Sequence, residues 1–118
     1  MRNMVSIYHN PRCSKSRETL ALLQENGVEP EVVLYLDTPP DVPTLKRLLQ
    51  QLGMHSAREL MRRKEDLYKA LALANDELSE DHLLQAMAAH PKLIERPIVV
   101  NGEQARIGRP PEAVLEII

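Results

Sequence analysis

The chain of 118 residues contains no phenylalanine or tryptophan and only three tyrosines, so its core must be built from aliphatic side chains. Apolar residues still make up 43% of the sequence, which is sufficient for one hydrophobic core. The length is close to the usual size of a single domain. We therefore expect residues 1–118 to form one domain.

The sequence also lacks an excess of charge of either sign, because 15 basic and 17 acidic side chains give a net charge of −2. This balance argues against a general nucleic-acid or membrane surface. There is no apolar run of membrane-spanning length, and Met1-Arg2-Asn3-Met4 leads directly into a strand-like segment without a secretory signal. The four histidines do not have metal-ligand spacing, so we expect no bound metal. We expect a cytoplasmic protein.

A single cysteine, Cys13, is present, so no disulfide can form within the chain. It follows a predicted strand and precedes a predicted helix, where backbone N–H groups and the helix dipole favour an anion. Arg12, Lys15 and Arg17 add positive charge close to it in sequence. We predict a thiolate with a lowered pKa that acts as a nucleophile. The alternative is a buried cysteine that acts as a small hydrophobic residue, but its neighbours are polar and basic.

Ser16 stands three residues after Cys13, where a Cys-x-x-Cys redox pair would place its second thiol. Any adduct formed at Cys13 must therefore be released by a thiol from another molecule. Ser16 either stabilises the start of the helix or hydrogen-bonds to Cys13. His9 is either a surface residue at the end of the strand or an imidazolium that favours the thiolate.

The order of predicted elements is βαβ, a helical middle and ββα, in an α/β protein. This order is typical of a thioredoxin-like fold with a mixed four-stranded sheet and a helical insertion at about 41–90. Helices are expected to start after Asp41, Ser56 and Ser79. The remaining expectations are a strand at 5–8, a helix at 14–26, a buried strand at Glu31–Leu36, a short helix at 66–73, a hairpin at 96–107 turning at Asn101-Gly102, and a terminal helix with Val114, Ile117 and Ile118 on one side.

Four segments of the chain together carry a resemblance to a known family. They are Tyr8-His9-Asn10-Pro11-Arg12-Cys13, Arg58-Glu59-Leu60-Met61-Arg62, Glu95-Arg96-Pro97-Ile98-Val99-Val100 and Arg106-Ile107-Gly108-Arg109-Pro110. In these segments, which occur in the family's order, the chain resembles the glutaredoxin-coupled arsenate reductases, including the short arsenate-reductase-like proteins. The resemblance covers nearly the whole chain.

The resemblance implies a role for each matched residue. Cys13 is the expected nucleophile, and His9 is associated with its low pKa. Three arginines are expected to bind the oxyanion, since each presents a rigid fork of N–H donors. Pro97 resembles the cis-proline that thioredoxin-like folds place beside the active thiol, and Ser16 and Arg17 are expected to support the site. The arginines are Arg62, Arg96 and Arg109.

The resemblance implies reduction of arsenate to arsenite through a Cys13 thiol-arsenate adduct, with glutathione as co-substrate, glutaredoxin as partner and no bound cofactor. Two alternatives remain open. One is a glutathione-dependent thiol oxidoreductase with another substrate. The other is a non-enzymatic regulator that binds RNA polymerase, although such regulators commonly carry Cys-x-x-Cys. A phosphatase loop of the Cys-x5-Arg type is not present, because Glu18 and Thr19 occupy the relevant positions.

Overall fold

The computed structural model describes residues 5–118, and its contacts divide the chain into two compact units. The first unit comprises the chain up to Thr38 together with Arg96–Ile118. The second unit, Pro39–Glu95, contains the segment for which a helical insertion is predicted. That the two units form one domain stays a prediction.

The first unit is a mixed four-stranded sheet accompanied by one α-helix. The strand order is β2-β1-β3-β4, with β1 parallel to β2 and antiparallel to β3, and β3 antiparallel to β4. The predicted α/β class and thioredoxin-like plan are therefore confirmed. The elements are β1 (Val5–Tyr8), α1 (Ser14–Glu25), β2 (Glu31–Val33), β3 (Ile98–Asn101), β4 (Gln104–Ile107) and a 3₁₀ segment, Pro111–Ile117.

The core of this unit is aliphatic, as the composition requires. Each buried side chain of this size contributes roughly 1.5–3 kcal/mol to stability. The 3₁₀ segment has a period of three residues, which places Val114 and Ile117 on the same side. Ile118 is 40% exposed, so the prediction that it shares that side was wrong: it lies one residue further round the turn. The core residues are Val5, Ile7, Leu23, Val99, Val114 and Ile117.

The second predicted strand was wrong in both its length and its burial. Instead of a buried strand over Glu31–Leu36, β2 ends at Val33 and lies at the edge of the sheet, with β1 as its neighbour. Val32 is 44% exposed and Leu34 is 41% exposed. Two amides of the following turn donate to the Leu34 carbonyl, which ends the extended conformation. An apolar run cannot distinguish an edge strand from a central one.

The second unit is helical, and two of its helix starts are capped as predicted. Asp41 Oδ1 accepts a hydrogen bond from the Thr44 amide at 2.9 Å, and Ser79 Oγ accepts one from the His82 amide at 3.1 Å. Leucine and methionine side chains from α2 and α4 are buried in this unit. The elements are α2 (Val42–Leu52), a 3₁₀ turn at Ala57–Leu60, α3 (Asp66–Ala70), α4 (Glu80–Ala89) and a 3₁₀ turn at Pro91–Leu93.

The helix predicted to start after Ser56 is only a single 3₁₀ turn. A capping box forms at Ser56, as the expected helix start requires. Met61 then adopts an extended conformation and pairs with Ile94 in an antiparallel bridge. Because this backbone pairing replaces a second helical turn, the prediction of a full helix after Ser56 was wrong.

The predicted hairpin is present, with its turn centred one residue later than Asn101-Gly102. Asn101 pairs with Gln104, so Gly102 and Glu103 form the two-residue loop. Gly102 has a φ of 63°, which suits the first central position of a type II′ turn. Within residues 5–118, no helix combines the length and apolar character needed to cross a membrane.

Candidate active site

Cys13 occupies the N-cap position of α1, in the turn that follows β1. Its amide donates to the Asn10 carbonyl at 3.0 Å, and its carbonyl accepts from the Arg17 amide at 3.0 Å as the helix begins. The Asn10 side chain accepts from the Arg12 amide at 3.0 Å, which forms a local Asx turn. The thiol is partly exposed, so a small molecule can reach the sulfur.

The Cys13 pKa is lowered from its ordinary value by hydrogen bonds and positive charge. Burial by itself raises this pKa, but it is outweighed by the Ser16 amide, the Arg96 guanidinium and the Lys15 amide. Arg96 acts through both a hydrogen bond and its charge. The two amides belong to the first turn of α1, where unpaired N–H groups stabilise an anion. The predicted activation of the thiol therefore has a defined geometric origin.

We expect the rate of Cys13 alkylation by iodoacetamide to reach half its maximum at a pH below about 8.5, the value for a free cysteine. The thiolate is the reacting form, so a lowered pKa moves the rate profile to lower pH. Alkylation that is quenched after set times at each pH, and quantified by mass spectrometry, measures this midpoint. A midpoint at or above about 8.5 would contradict an activated thiol.

His9 and Ser16 form a buried hydrogen-bonded pair behind the Cys13 turn. Ser16 Oγ lies 2.6 Å from His9 Nδ1, and it also accepts a hydrogen bond from the Asn10 amide at 3.0 Å. Burial, with a smaller effect from Arg17, lowers the His9 pKa, so the imidazole is neutral at pH 7. The Ser16 hydroxyl and His9 Nδ1 share one hydrogen bond, whose direction follows from the tautomer of the neutral ring. This pair fixes the turn from which the Ser16 amide points to the sulfur.

The groups that lower the Cys13 pKa do not include the His9 ring or the basic side chains near Cys13 in sequence. Desolvation lowers the His9 pKa and so favours the neutral ring over an imidazolium. Two of the basic side chains engage other groups: Lys15 pairs with Glu18 at 3.5 Å, and Arg17 donates to the Pro11 carbonyl at 2.9 Å. Arg17 thus supports the turn through a hydrogen bond to its backbone.

We expect the free energy of unfolding to fall as the pH drops below about 6.5, with His9 as one cause. Its pKa in the folded protein is below the unfolded value, so unfolding takes up a proton in this range. The stabilisation is complete above the unfolded pKa and is lost as the pH falls through the folded one. Urea unfolding from pH 8 to pH 5 measures the effect.

His9→Gln is expected to make this pH dependence shallower. The matched control is His82→Gln, in which the replaced imidazole is exposed on α4. Equal slopes for wild type and His9→Gln would contradict the assignment of a buried neutral imidazole.

Arg96 and Arg109 both lie beside Cys13, as the resemblance implies. Arg109 Nη2 is 3.7 Å from Cys13 Sγ, and its Nε donates to the Arg96 carbonyl at 2.8 Å. Arg96 Nε is buried and has no hydrogen-bond partner among the described residues. The Arg96–Pro97 peptide is cis, and so is Arg109–Pro110. The structure therefore places two guanidinium groups next to the Cys13 sulfur.

Arg62 belongs to the second unit, whereas Cys13, Arg96 and Arg109 belong to the first. Its Nη1 forms an ion pair with Glu65 at 3.0 Å, and its amide donates to the Leu93 carbonyl at 2.7 Å. Both groups of the ion pair are about three-quarters buried. Its part in binding an oxyanion stays a prediction based on the resemblance.

Sequence reasoning missed the structural roles of Asn10, Thr19 and Gly108, which support the segments that carry the site residues. Three groups of Asn10 form hydrogen bonds in the Cys13 turn: its amide, its carbonyl and its side-chain oxygen. The Asn-Pro pair is a recognised turn signal that could have indicated this role. Gly108 lies close to both Thr19 and Pro97, and no local pattern indicates this approach. Such contacts between distant segments become visible only in the folded chain.

The arrangement combines a partly exposed thiolate with two guanidinium groups and the N-terminal amides of a helix. Guanidinium forks and helix amides bind tetrahedral oxyanions, and the thiolate can attack the central atom of a bound anion. The site therefore suits nucleophilic chemistry on a small oxyanion.

Comparison with known proteins agrees with this geometry. The model of the ArsC family matches residues 8–117. The protein YfgD of Escherichia coli K12 is 71% identical over 118 residues, which cover 100% of this chain and 99% of YfgD. An arsenate reductase of Haemophilus influenzae is 54% identical over 114 residues, or 97% of this chain and 98% of the relative. The structure of an arsenate reductase from Vibrio cholerae superposes with a TM-score of 0.97, at 62% identity and 100% coverage of both chains.

Proposed function

Since the chain belongs to the ArsC family, we propose that it is an arsenate reductase that uses glutathione and glutaredoxin to convert arsenate to arsenite. The observation that supports this most directly is the position of Arg109 Nη2, 3.7 Å from a thiol whose pKa is lowered. Relatives named arsenate reductase share more than half of their residues with this chain. The reaction needs a nucleophile beside an oxyanion site, and Cys13 and its arginines provide both.

In the first step the Cys13 thiolate attacks arsenic(V), a sulfur–arsenic bond forms, and hydroxide or water leaves. Arg96 and Arg109 hold the oxyanion and offset the negative charge of arsenate, which would otherwise repel the thiolate. The buried Arg96 Nε gains an acceptor when the anion binds. Arg62 is the third arginine of the proposed oxyanion site, on the basis of its motif.

In the second step glutathione adds to arsenic and displaces another hydroxide or water. A glutaredoxin thiolate then attacks the glutathione sulfur, and a mixed disulfide between the two leaves. The electron pair of the broken sulfur–arsenic bond stays on arsenic, which becomes arsenic(III). Hydrolysis of the remaining bond to Cys13 releases arsenite and restores the thiol.

An external thiol is required because Cys13 is the only cysteine in the chain. The protein cannot form an internal disulfide for thioredoxin to reduce. We also propose the cytoplasm as the site of the reaction, because its glutathione pool keeps a free thiol reduced.

A coupled assay tests the proposal. Arsenate-dependent NADPH oxidation is measured with glutathione, glutaredoxin and glutathione reductase. It is then measured with thioredoxin and its reductase in their place. We expect turnover with the first system and little with the second. Turnover with thioredoxin and without glutathione would contradict the mechanism.

The same assay separates the alternatives. Glutathione-dependent reduction of a model disulfide without any arsenate reduction would favour a thiol oxidoreductase with another substrate. An absence of both activities would favour a non-enzymatic regulator.

A further inference from the structure

Gly108 is buried at the end of β4, directly before Arg109, and it has no room for a Cβ atom. A Cβ at this position would overlap Thr19 Oγ1, and it would lie 2.9 Å from Pro97 Cγ and 3.0 Å from Thr19 Cγ2. Thr19 itself is fully buried on α1. The φ of Gly108 is not in the left-handed region, so glycine is required here by the close approach of two segments.

The backbone around Gly108 is tied to the arginines of the site. The Gly108 amide donates to the Pro97 carbonyl at 2.9 Å, and the Arg109 amide donates to the Ile107 carbonyl at 2.9 Å. Arg109 Nε is held by the Arg96 carbonyl at 2.8 Å. A displacement at Gly108 must therefore move Arg109, and a displacement of Pro97 must move the adjoining Arg96.

We propose that Gly108 is a positioning residue: its lack of a Cβ atom permits the close approach to Thr19 and Pro97, which sets the distance between the Arg109 guanidinium and the Cys13 sulfur. The distance of 3.7 Å between Arg109 Nη2 and Cys13 Sγ is near the upper end of the range for a hydrogen bond to sulfur. A backbone shift of about 1 Å would therefore break it. This inference rests on the proposed function. It extends that function from the arginines proposed to bind the oxyanion to the packing of Gly108 against Thr19 and Pro97.

Gly108→Ala tests the inference through the electrostatics of the thiolate. Cys13 is alkylated with iodoacetate, which is anionic, and with iodoacetamide, which is neutral. The rate with iodoacetate is divided by the rate with iodoacetamide, and this ratio is compared between the wild type and the variant. A guanidinium near the sulfur favours the anionic reagent, so we expect the ratio to fall about threefold in Gly108→Ala. In the arsenate assay the KM should rise more than kcat falls. Thermal unfolding verifies that the variant is folded.

A compensating variant separates positioning from general damage. Thr19→Ala removes Thr19 Oγ1 and Cγ2, which are two of the three atoms nearest to the added Cβ; the third is Pro97 Cγ. We expect Gly108→Ala/Thr19→Ala to recover most of the wild-type ratio, and Thr19→Ala alone to stay close to it. An unchanged ratio in folded Gly108→Ala, or a double variant no better than Gly108→Ala, would overturn the inference.

Two further arms keep the result unambiguous. If Gly108→Ala does not fold, Thr19→Ile is measured instead, because its added methyl group crowds the Gly108 backbone from α1. An unchanged ratio in folded Thr19→Ile overturns the inference. If the wild-type protein does not reduce arsenate, the proposed function fails. The alkylation ratios still decide whether Gly108 positions Arg109, because they need no arsenate.

Discussion

Cys13→Ser is expected to reduce arsenate turnover to the level of the uncatalysed reaction. The substitution replaces a thiol of lowered pKa by a hydroxyl that stays protonated at neutral pH, so the nucleophile of the first step is lost. Serine also cannot form the sulfur–arsenic bond on which glutathione acts. The glutaredoxin-coupled assay measures the loss directly. The hydrogen bonds of the turn use the backbone of residue 13, so the fold should be retained.

Ser14→Ala is the matched control for this variant. Ser14 is the first residue of α1, is exposed, and lies next to the nucleophile in sequence. We expect its turnover to stay close to that of the wild type. Substantial arsenate turnover by folded Cys13→Ser would show that Cys13 is not the attacking group.

Arg96→Ala and Arg109→Ala are expected to lower kcat/KM for arsenate by about 10- to 100-fold each. Loss of a charge-assisted hydrogen bond costs roughly 1.5–3 kcal/mol, which corresponds to one to two decades. Arg96 should have the larger effect, because it also lowers the Cys13 pKa and its Nε is buried. Arg109 is exposed, so solvent weakens its contribution. Steady-state kinetics with varied arsenate provide the comparison.

Arg106→Ala is the matched control, because Arg106 lies on β4 close to Arg109 and pairs with Glu116 at 3.1 Å. It should leave kcat/KM nearly unchanged. Arg62→Ala is expected to weaken oxyanion use, and Arg63→Ala is its control, since the exposed Arg63 is the next residue in sequence. Equal losses for a site arginine and its control would indicate a general effect of charge rather than a defined site.

Arg96→Lys distinguishes charge from geometry at the same position. Lysine retains the positive charge but lacks the planar fork and the Nε donor of arginine. We expect the Cys13 alkylation profile to stay closer to wild type in Arg96→Lys than in Arg96→Ala, while arsenate kcat/KM remains low. If the two variants behave alike in both measurements, the charge of Arg96 does not act on the thiol.

The sequence by itself determined the elements that depend on near neighbours. Asp41 and Ser79 cap helices as predicted, and the hairpin forms around Gly102. The placement of Cys13 at the start of α1 was also predictable, because a strand, a short turn and the first turn of a helix are specified by adjacent residues. These interactions span at most four or five positions, so the local pattern contains the information they require.

The tertiary structure decided the features that depend on distant segments. β2 is exposed because it lies at the edge of the sheet, and the segment after Ser56 leaves the helix because Met61 pairs with Ile94. Neither outcome is specified by residues next to the segment concerned. Backbone pairing with a distant strand can override a local helix signal, because it satisfies the same N–H and C=O groups.

The chemistry of the site was decided in the same way. The sequence indicated an activated thiol with basic neighbours and a histidine that was either a surface residue or charged. In the folded chain His9 is buried and neutral, while Arg96, 83 positions away in sequence from Cys13, lowers its pKa. A pKa depends on burial and on charges a few ångströms away in space. Those distances are fixed by the pairing of β1 with β3 and by the close approach of Gly108 to Thr19, which only the complete fold establishes.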